Sequence, residues 1–275
     1  MGDGATVQLQ TSKNSYLLGE DVEVSITSES AIDDLHVALV CRAPWLDDQG
    51  NVTEPWEAAT EYMLTERVLA STHLSREELA SAEGQVRLRA PESGPPGARG
   101  AIDWSVRAGA DSGSEETAEI LVLAPRAAFA DDLEHVAPAL NSSPEVSVNL
   151  GTDTVRAGDS LSGVVTVTPE KKLKARAVSV ALVNTFMLAT QLHSPERLEL
   201  ARDVEIESGQ RHELPFTIPV PADVPPSFSD RNSDHELLPE AIRVPANYWE
   251  VRATVKAGRL FGRRSTAVPV HVFNG

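Results

Sequence analysis

Trp104-Ser105-Val106-Arg107-Ala108 and Trp249-Glu250-Val251-Arg252-Ala253 carry one pattern, W-x-V-R-A, 145 positions apart in a chain of 275 residues. Apolar and polar residues alternate in both, which is the signature of a half-buried strand. Working outward, each pentapeptide follows a proline segment of one form. Pro91-Glu92-Ser93-Gly94-Pro95-Pro96 and Pro221-Ala222-Asp223-Val224-Pro225-Pro226 both read P-x-x-x-P-P. Each segment in turn follows an alternating strand, Val86 to Ala90 and Phe216 to Val220. Further upstream lie Leu35 to Cys41 and Ala177 to Val183. Before them stand Tyr16-Leu17-Leu18-Gly19-Glu20 and Val155-Arg156-Ala157-Gly158-Asp159, each a turn made of Gly and an acid between two strands. The copies open on Val7 to Gln10 and Val146 to Leu150, and close on Ile120 to Leu123 and Val268 to Phe273. Alternation alone is common to β-proteins, but paired prolines and tryptophans in one order are not. The chain reads as an internal duplication.

Many short strands with Gly and Pro turns predict an all-β protein, here two tandem immunoglobulin-like β-sandwich domains. The expected boundaries are 1–124 for the first and 145–275 for the second. The linker, 125–144, has room for a short helix around Pro125 to Val136. The stretch between the third strand and the proline segment differs between the copies. In the first copy it contains Ser75 and Glu78, a capping-box pair, with Gly84 beyond. That spacing predicts one or two helical turns over 75–83 on the outside of the sandwich.

Composition narrows the function. The hydrophobic fraction is 41% and the charged fraction 24%, as in soluble globular proteins. No apolar run is long enough for a membrane-spanning helix, and no signal peptide is expected. The single cysteine, Cys41, excludes an intrachain disulfide and suits a reducing, cytoplasmic compartment. Net charge is −17, unevenly spread: residues 1–140 hold 9 Lys and Arg against 25 Asp and Glu, and residues 141–275 hold 15 against 16. No nucleic-acid partner is expected of such a chain, because that binding needs clustered cations.

The order of these motifs resembles the arrestin-like superfamily, and in character its bacterial and archaeal sporulation-control type. The carriers are Tyr16 to Glu20, Pro215 to Phe228, and Tyr248 to Ala253. The resemblance implies arrestin-type sandwiches in a cytoplasmic, non-catalytic adaptor or regulatory protein that binds a protein partner through loops or a strand edge. Two departures matter. Pro225-Pro226-Ser227-Phe228 has Phe where a PPxY motif has Tyr, and no clathrin-box-like tail is found.

Nothing in the residues points to catalysis or to a cofactor. Cys41 falls on the apolar face of its strand, where a buried core residue is expected rather than a nucleophile. The seven histidines show no helical metal-ligand spacing. Asp230 to Glu236 has alternate oxygen donors, but His235 stands where a calcium loop needs Gly and Ala241 where it needs Glu. No nucleophile elbow or phosphate loop occurs.

Two basic clusters stand out: Lys171, Lys172, Lys174 and Arg176, and Arg259, Phe261, Arg263 and Arg264. They serve as edge-strand protection, as a dock for the acidic first half, or as a site for an anionic partner or peripheral membrane contact. Trp45 and Trp56 flank a loop in the region that differs between copies and are the other candidate partner-binding residues. Two further functions compete with the adaptor. One is an extracellular-type sandwich module that binds carbohydrate or acts as an adhesin, and the other is an enzyme of unrecognised type.

Overall fold

The computed structural model describes residues 6–28, 32–43, 65–92, 94–97, 102–110, 115–124, 143–186, 197–228, 247–257 and 262–275. The first unit contains β1 (Val7–Thr11), β2 (Ser15–Leu17), β3 (Asp21–Ser28), β4 (Asp34–Ala43), β5 (Thr65–Ser75), α1 (Arg76–Ser81), β6 (Gln85–Arg89), β7 (Asp103–Ala110) and β8 (Glu116–Leu123). Its sheets have the orders β1-β3-β6 and β2-β8-β7-β4-β5. The second contains β9 (Glu145–Leu150), β10 (Thr154–Arg156), β11 (Ser160–Thr168), β12 (Leu173–Phe186), β13 (Leu198–Ile206), β14 (His212–Pro219), β15 (Asn247–Ala257) and β16 (Arg263–Phe273). Its sheets have the orders β9-β11-β14 and β10-β16-β15-β12-β13. Adding eight to each strand number of the first unit gives the topology of the second. The protein is all-β, as the alternation predicts. Of the linker only Ser143 and Pro144 lie among the described residues, so the short helix expected there falls outside them.

Alternation sets which faces meet. In β3 the buried residues are Val22, Val24 and Ile26, and in β7 they are Trp104, Val106 and Ala108. In the second unit one apolar cluster draws Leu161, Val165 and Val167 from β11 together with Val178, Val180 and Leu182 from β12. Phe216 and Ile218 of β14, Val251 and Val255 of β15, and Val270 and Val272 of β16 complete it. Both sheets of the unit thus share one core, which is what makes it a sandwich. Each such Val or Leu contributes about 1.5–3 kcal/mol by leaving water.

Two strands escaped the sequence reading. β5 and β13 lie in the stretch taken to differ between copies, yet each is the edge neighbour of its copy's third strand, with a register shift at Leu39/Val40 and at Val178/Ser179. β13 buries only Ile206, so its alternation is faint. Neither were the parallel pairs β2–β8 and β10–β16 foreseen. The predicted capping box is present: Ser75 caps α1 and Glu78 reaches back to the Ser75 N–H, and no residue of the helix is buried.

The Gly-plus-acid turn is held alike in both units. Gly19 and Gly158 take φ of 78° and 94°, a region that favours glycine. In the first unit the Glu20 carboxylate also accepts the Leu17 N–H and pairs with Lys13. Lys13, and then that N–H, hold the Glu20 carboxyl below its ordinary range.

The proline segments explain the tryptophans. Trp104 Nε1 donates to the Pro95 carbonyl at 3.1 Å, and Trp249 Nε1 donates to the Pro225 carbonyl at 2.8 Å. Both indoles are buried. Just past each proline pair, Gly97 N–H donates to Val122 and Ser227 N–H to Val272, residues of the last strand in each copy. Pro95-Pro96 and Pro225-Pro226 lie in irregular connections outside the ladders, where a missing N–H costs nothing. The second unit adds Asn247, whose Nδ2 donates to the carbonyls of Pro225 at 3.2 Å and Pro226 at 2.6 Å.

Replacing Trp by Phe removes the N–H and leaves a proline carbonyl in a dry site, which costs about 1–3 kcal/mol. Pro225 keeps Asn247 as a donor, and Pro95 has no second donor among the described residues. Trp104→Phe is therefore expected to lower the urea midpoint of the full chain more than Trp249→Phe does. An equal or reversed ranking contradicts this assignment.

Candidate functional site

Strand register gathers the two basic clusters. In the five-stranded sheet of the second unit, Ala175 of β12 lies opposite Ala257 of β15, and Ala177 opposite Lys256. Lys256 in turn lies opposite Arg263 of β16, and Val255 opposite Arg264. The start of β12, the end of β15 and the start of β16 therefore form one end of one sheet. Clusters some 90 residues apart in sequence come together there, joined by Lys256, which the sequence reading did not single out. A cation on the strand between the clusters was the signal available, but it needed the register to be seen.

The cations at this end differ in how well they are neutralised. Lys172 bridges to Glu205 at 3.3 Å and to Glu207 at 2.8 Å, and Lys174 lies 3.9 Å from Glu205. Glu207 and then Glu205 raise the Lys172 ammonium above its ordinary value. Lys171, Arg176, Lys256, Arg263 and Arg264 are exposed and have no ion-pair partner among the described residues. Arg263 donates to the Thr254 hydroxyl at 3.4 Å.

Edge protection accounts for one cluster and not for the other. β12 is an interior strand, between β15 and β13, so Lys174 and Arg176 guard no edge. β16 is different. Its one outer neighbour, β10, pairs only with His271 to Phe273, and among the described residues no strand pairs with the outer side of Arg263 to Val270. Pro269 sits on this open stretch, where a proline is tolerated.

Of the other candidates, Trp45, Trp56, Arg259 and Phe261 lie outside the described residues, as does Asp230 to Glu236. Cys41 is fully buried opposite Trp104. Burial, and to a lesser degree the charge of Asp103, push its thiol well up, away from the thiolate a nucleophile requires. Among the described residues no group of three or more His, Cys, Asp and Glu side chains comes together to hold a metal.

Residues 141–238 match the Spo0M family, described as SpoOM protein. The match covers 98 of the 275 residues, all in the second half, and takes in β9 to β14. It agrees with the sporulation-control resemblance drawn from the motifs. No curated protein matches the chain significantly. Among solved structures, the crystal structure of Spo0M, sporulation control protein, from Bacillus subtilis is similar at 15% identity and a TM-score of 0.38, over 48% of this chain. The alignment spans 50% of that protein's own chain.

His271 is a polar residue that sequence reasoning passed over. It is fully buried in β16 between Val270 and Val272, and neither ring nitrogen has a hydrogen-bond partner among the described residues. Burial holds its pKa below the ordinary 6.5, partly offset by Asp153. The unfolded chain therefore binds this proton more readily than the folded one, and the difference opens as pH falls below about 6.5. The neutral-ring stability is fully present above that pH and is lost progressively on acidification. Urea midpoints measured between pH 7 and pH 5 should fall less steeply for His271→Phe than for the wild type. Parallel slopes contradict the assignment.

Proposed function

We propose that this chain is a non-catalytic regulatory adaptor that captures an acidic, extended segment of a protein partner at the cationic end of the second unit. The observation that carries the reading is the convergence of Arg176, Lys256, Arg263 and Arg264, none ion-paired among the described residues, beside the open side of β16. An extended segment adds to a sheet edge through main-chain hydrogen bonds, and side-chain charge then selects among segments. The regulatory role is supported by the Spo0M family match over residues 141–238. The unit itself is not generically basic: Glu205 and Glu207 already neutralise Lys172, so the unpaired charge is concentrated toward β15 and β16.

The test separates charge from edge. In affinity capture from the source cells, Lys256→Glu/Arg263→Glu/Arg264→Glu should lose the acidic partners that the wild type retains at low salt. Ala267→Pro, two residues from Pro269 on the same strand, should weaken capture while preserving the circular dichroism spectrum. Arg156→Glu/Arg211→Glu, reversed elsewhere in the unit, should capture as the wild type does. An unchanged set of partners on the triple reversal contradicts the proposal.

A further inference from the structure

We propose that His36 and His73 form a two-imidazole clip for a divalent late transition-metal ion, copper(II) foremost. The two residues are 37 positions apart, which hides them from any motif search, but β4 and β5 pair so that they lie directly opposite one another. Their rings stack with centroids 4.5 Å apart and 28° between planes. His36 is half-buried and His73 exposed, on the outer face of the five-stranded sheet. No hydrogen bond involves either ring among the described residues, so the nitrogen lone pairs have no protein donor.

The geometry suits a shared ion. Imidazole nitrogens bind such metals at about 2.0–2.1 Å, so two nitrogens on one ion lie no more than about 4.2 Å apart. In the stacked arrangement the in-plane lone pairs run side by side, so sharing an ion requires each ring to turn about its side-chain bonds. The backbone holds the pair in place whether or not an ion is present, because the ladder continues on both sides of it, from Asp34↔Ser75 to Ala38↔Ser71.

The electrostatics also favour a cation. Asp34 lies two residues before His36 on the same strand face. Gly109 of β7 lies on the other side of His36, and Glu115 packs over it: a Cβ at Gly109 would meet the Glu115 Cγ at 3.7 Å. Arg107, opposite Ala38 on β7, is engaged by Glu66 and, at 3.7 Å, by Glu115. The carboxylates stand too far off to complete a three-residue ligand set. Water or a small anion therefore fills the remaining positions, and the ion stays exchangeable. Two imidazoles without thiolate favour copper over nickel and zinc.

The clip is independent of the partner-binding surface, which lies on the other unit. The test is titration of the full-length chain with copper(II) against glycine as competitor, together with electron paramagnetic resonance of the one-equivalent complex. The wild type should show one site with hyperfine splitting from two nitrogens. His36→Asn and His73→Asn should each weaken binding at least tenfold and remove one nitrogen, with thermal unfolding unchanged. His212→Asn should bind as the wild type does. Acidification from pH 7.5 should weaken binding in the wild type. Binding that survives in both single variants, or a spectrum without two coordinated nitrogens, overturns the proposal. Because the spectrum reports the ligands directly, a variant of altered stability leaves the test intact.

Discussion

In each unit a buried tryptophan N–H donates to a proline carbonyl and anchors the proline segment, alone among the described residues in the first unit and together with Asn247 in the second. A proline segment gives the ladder no N–H donor, so a chain carrying two adjacent prolines past a sheet has little to hold it there. The indole supplies a donor from the core. It sits on β7 or β15, the strand that follows the prolines, and returns to the segment over 9 residues in one copy and 24 in the other. Once pinned, the segment delivers Gly97 and Ser227 to the last strand, and that strand also takes up the N–H of Leu18 or Ala157 from the glycine turn. Prolines, tryptophan, last strand and glycine turn are therefore one connected arrangement, and duplication had to keep them together.

This connection is why the fold was legible and the site was not. The parts that must be chemically particular, such as Trp104, Trp249, the P-x-x-x-P-P runs, Gly19 and Gly158, recur as letters and can be read. β5 and β13 need only to be extended and to pair on one side. Their sequences share little, and they were read as a divergent stretch. The basic clusters were visible as composition, but Lys256 joins them only through register. The same holds for His36 and His73, which no spacing rule connects because the rule that joins them is strand pairing rather than a helical repeat. His271 gave no signal: a histidine in an apolar strand looks the same whether its ring finds partners or not.

Comparing equivalent positions shows how one scaffold came to carry two surfaces. Ala38 faces Arg107 across β4 and β7 as Ala181 faces Arg252 across β12 and β15. Counting back from these, Asp33, Asp34 and His36 of the first unit correspond to Arg176, Ala177 and Ser179 of the second. Across the partner strand, His73 corresponds to Glu199. The same end of the same sheet is thus acidic with paired imidazoles in one copy and cationic in the other. The arginine of W-x-V-R-A stays on the outer face in both, tied to Glu66 in one and to Glu250 in the other. Substitution at these outward positions changes what the sheet presents and leaves the buried alternation untouched, so the surfaces diverged at little cost in stability.

The most direct test of this account is hydrogen exchange of the two indole N–H groups, followed by NMR after transfer to deuterated water. If the indole-to-carbonyl bond pins each unit, the Trp104 and Trp249 signals should persist with protection matching that of the core amides of β7 and β15. Exchange of either signal within minutes, while those core amides remain protected, would show that the proline segment holds its place without the indole, and would contradict the account.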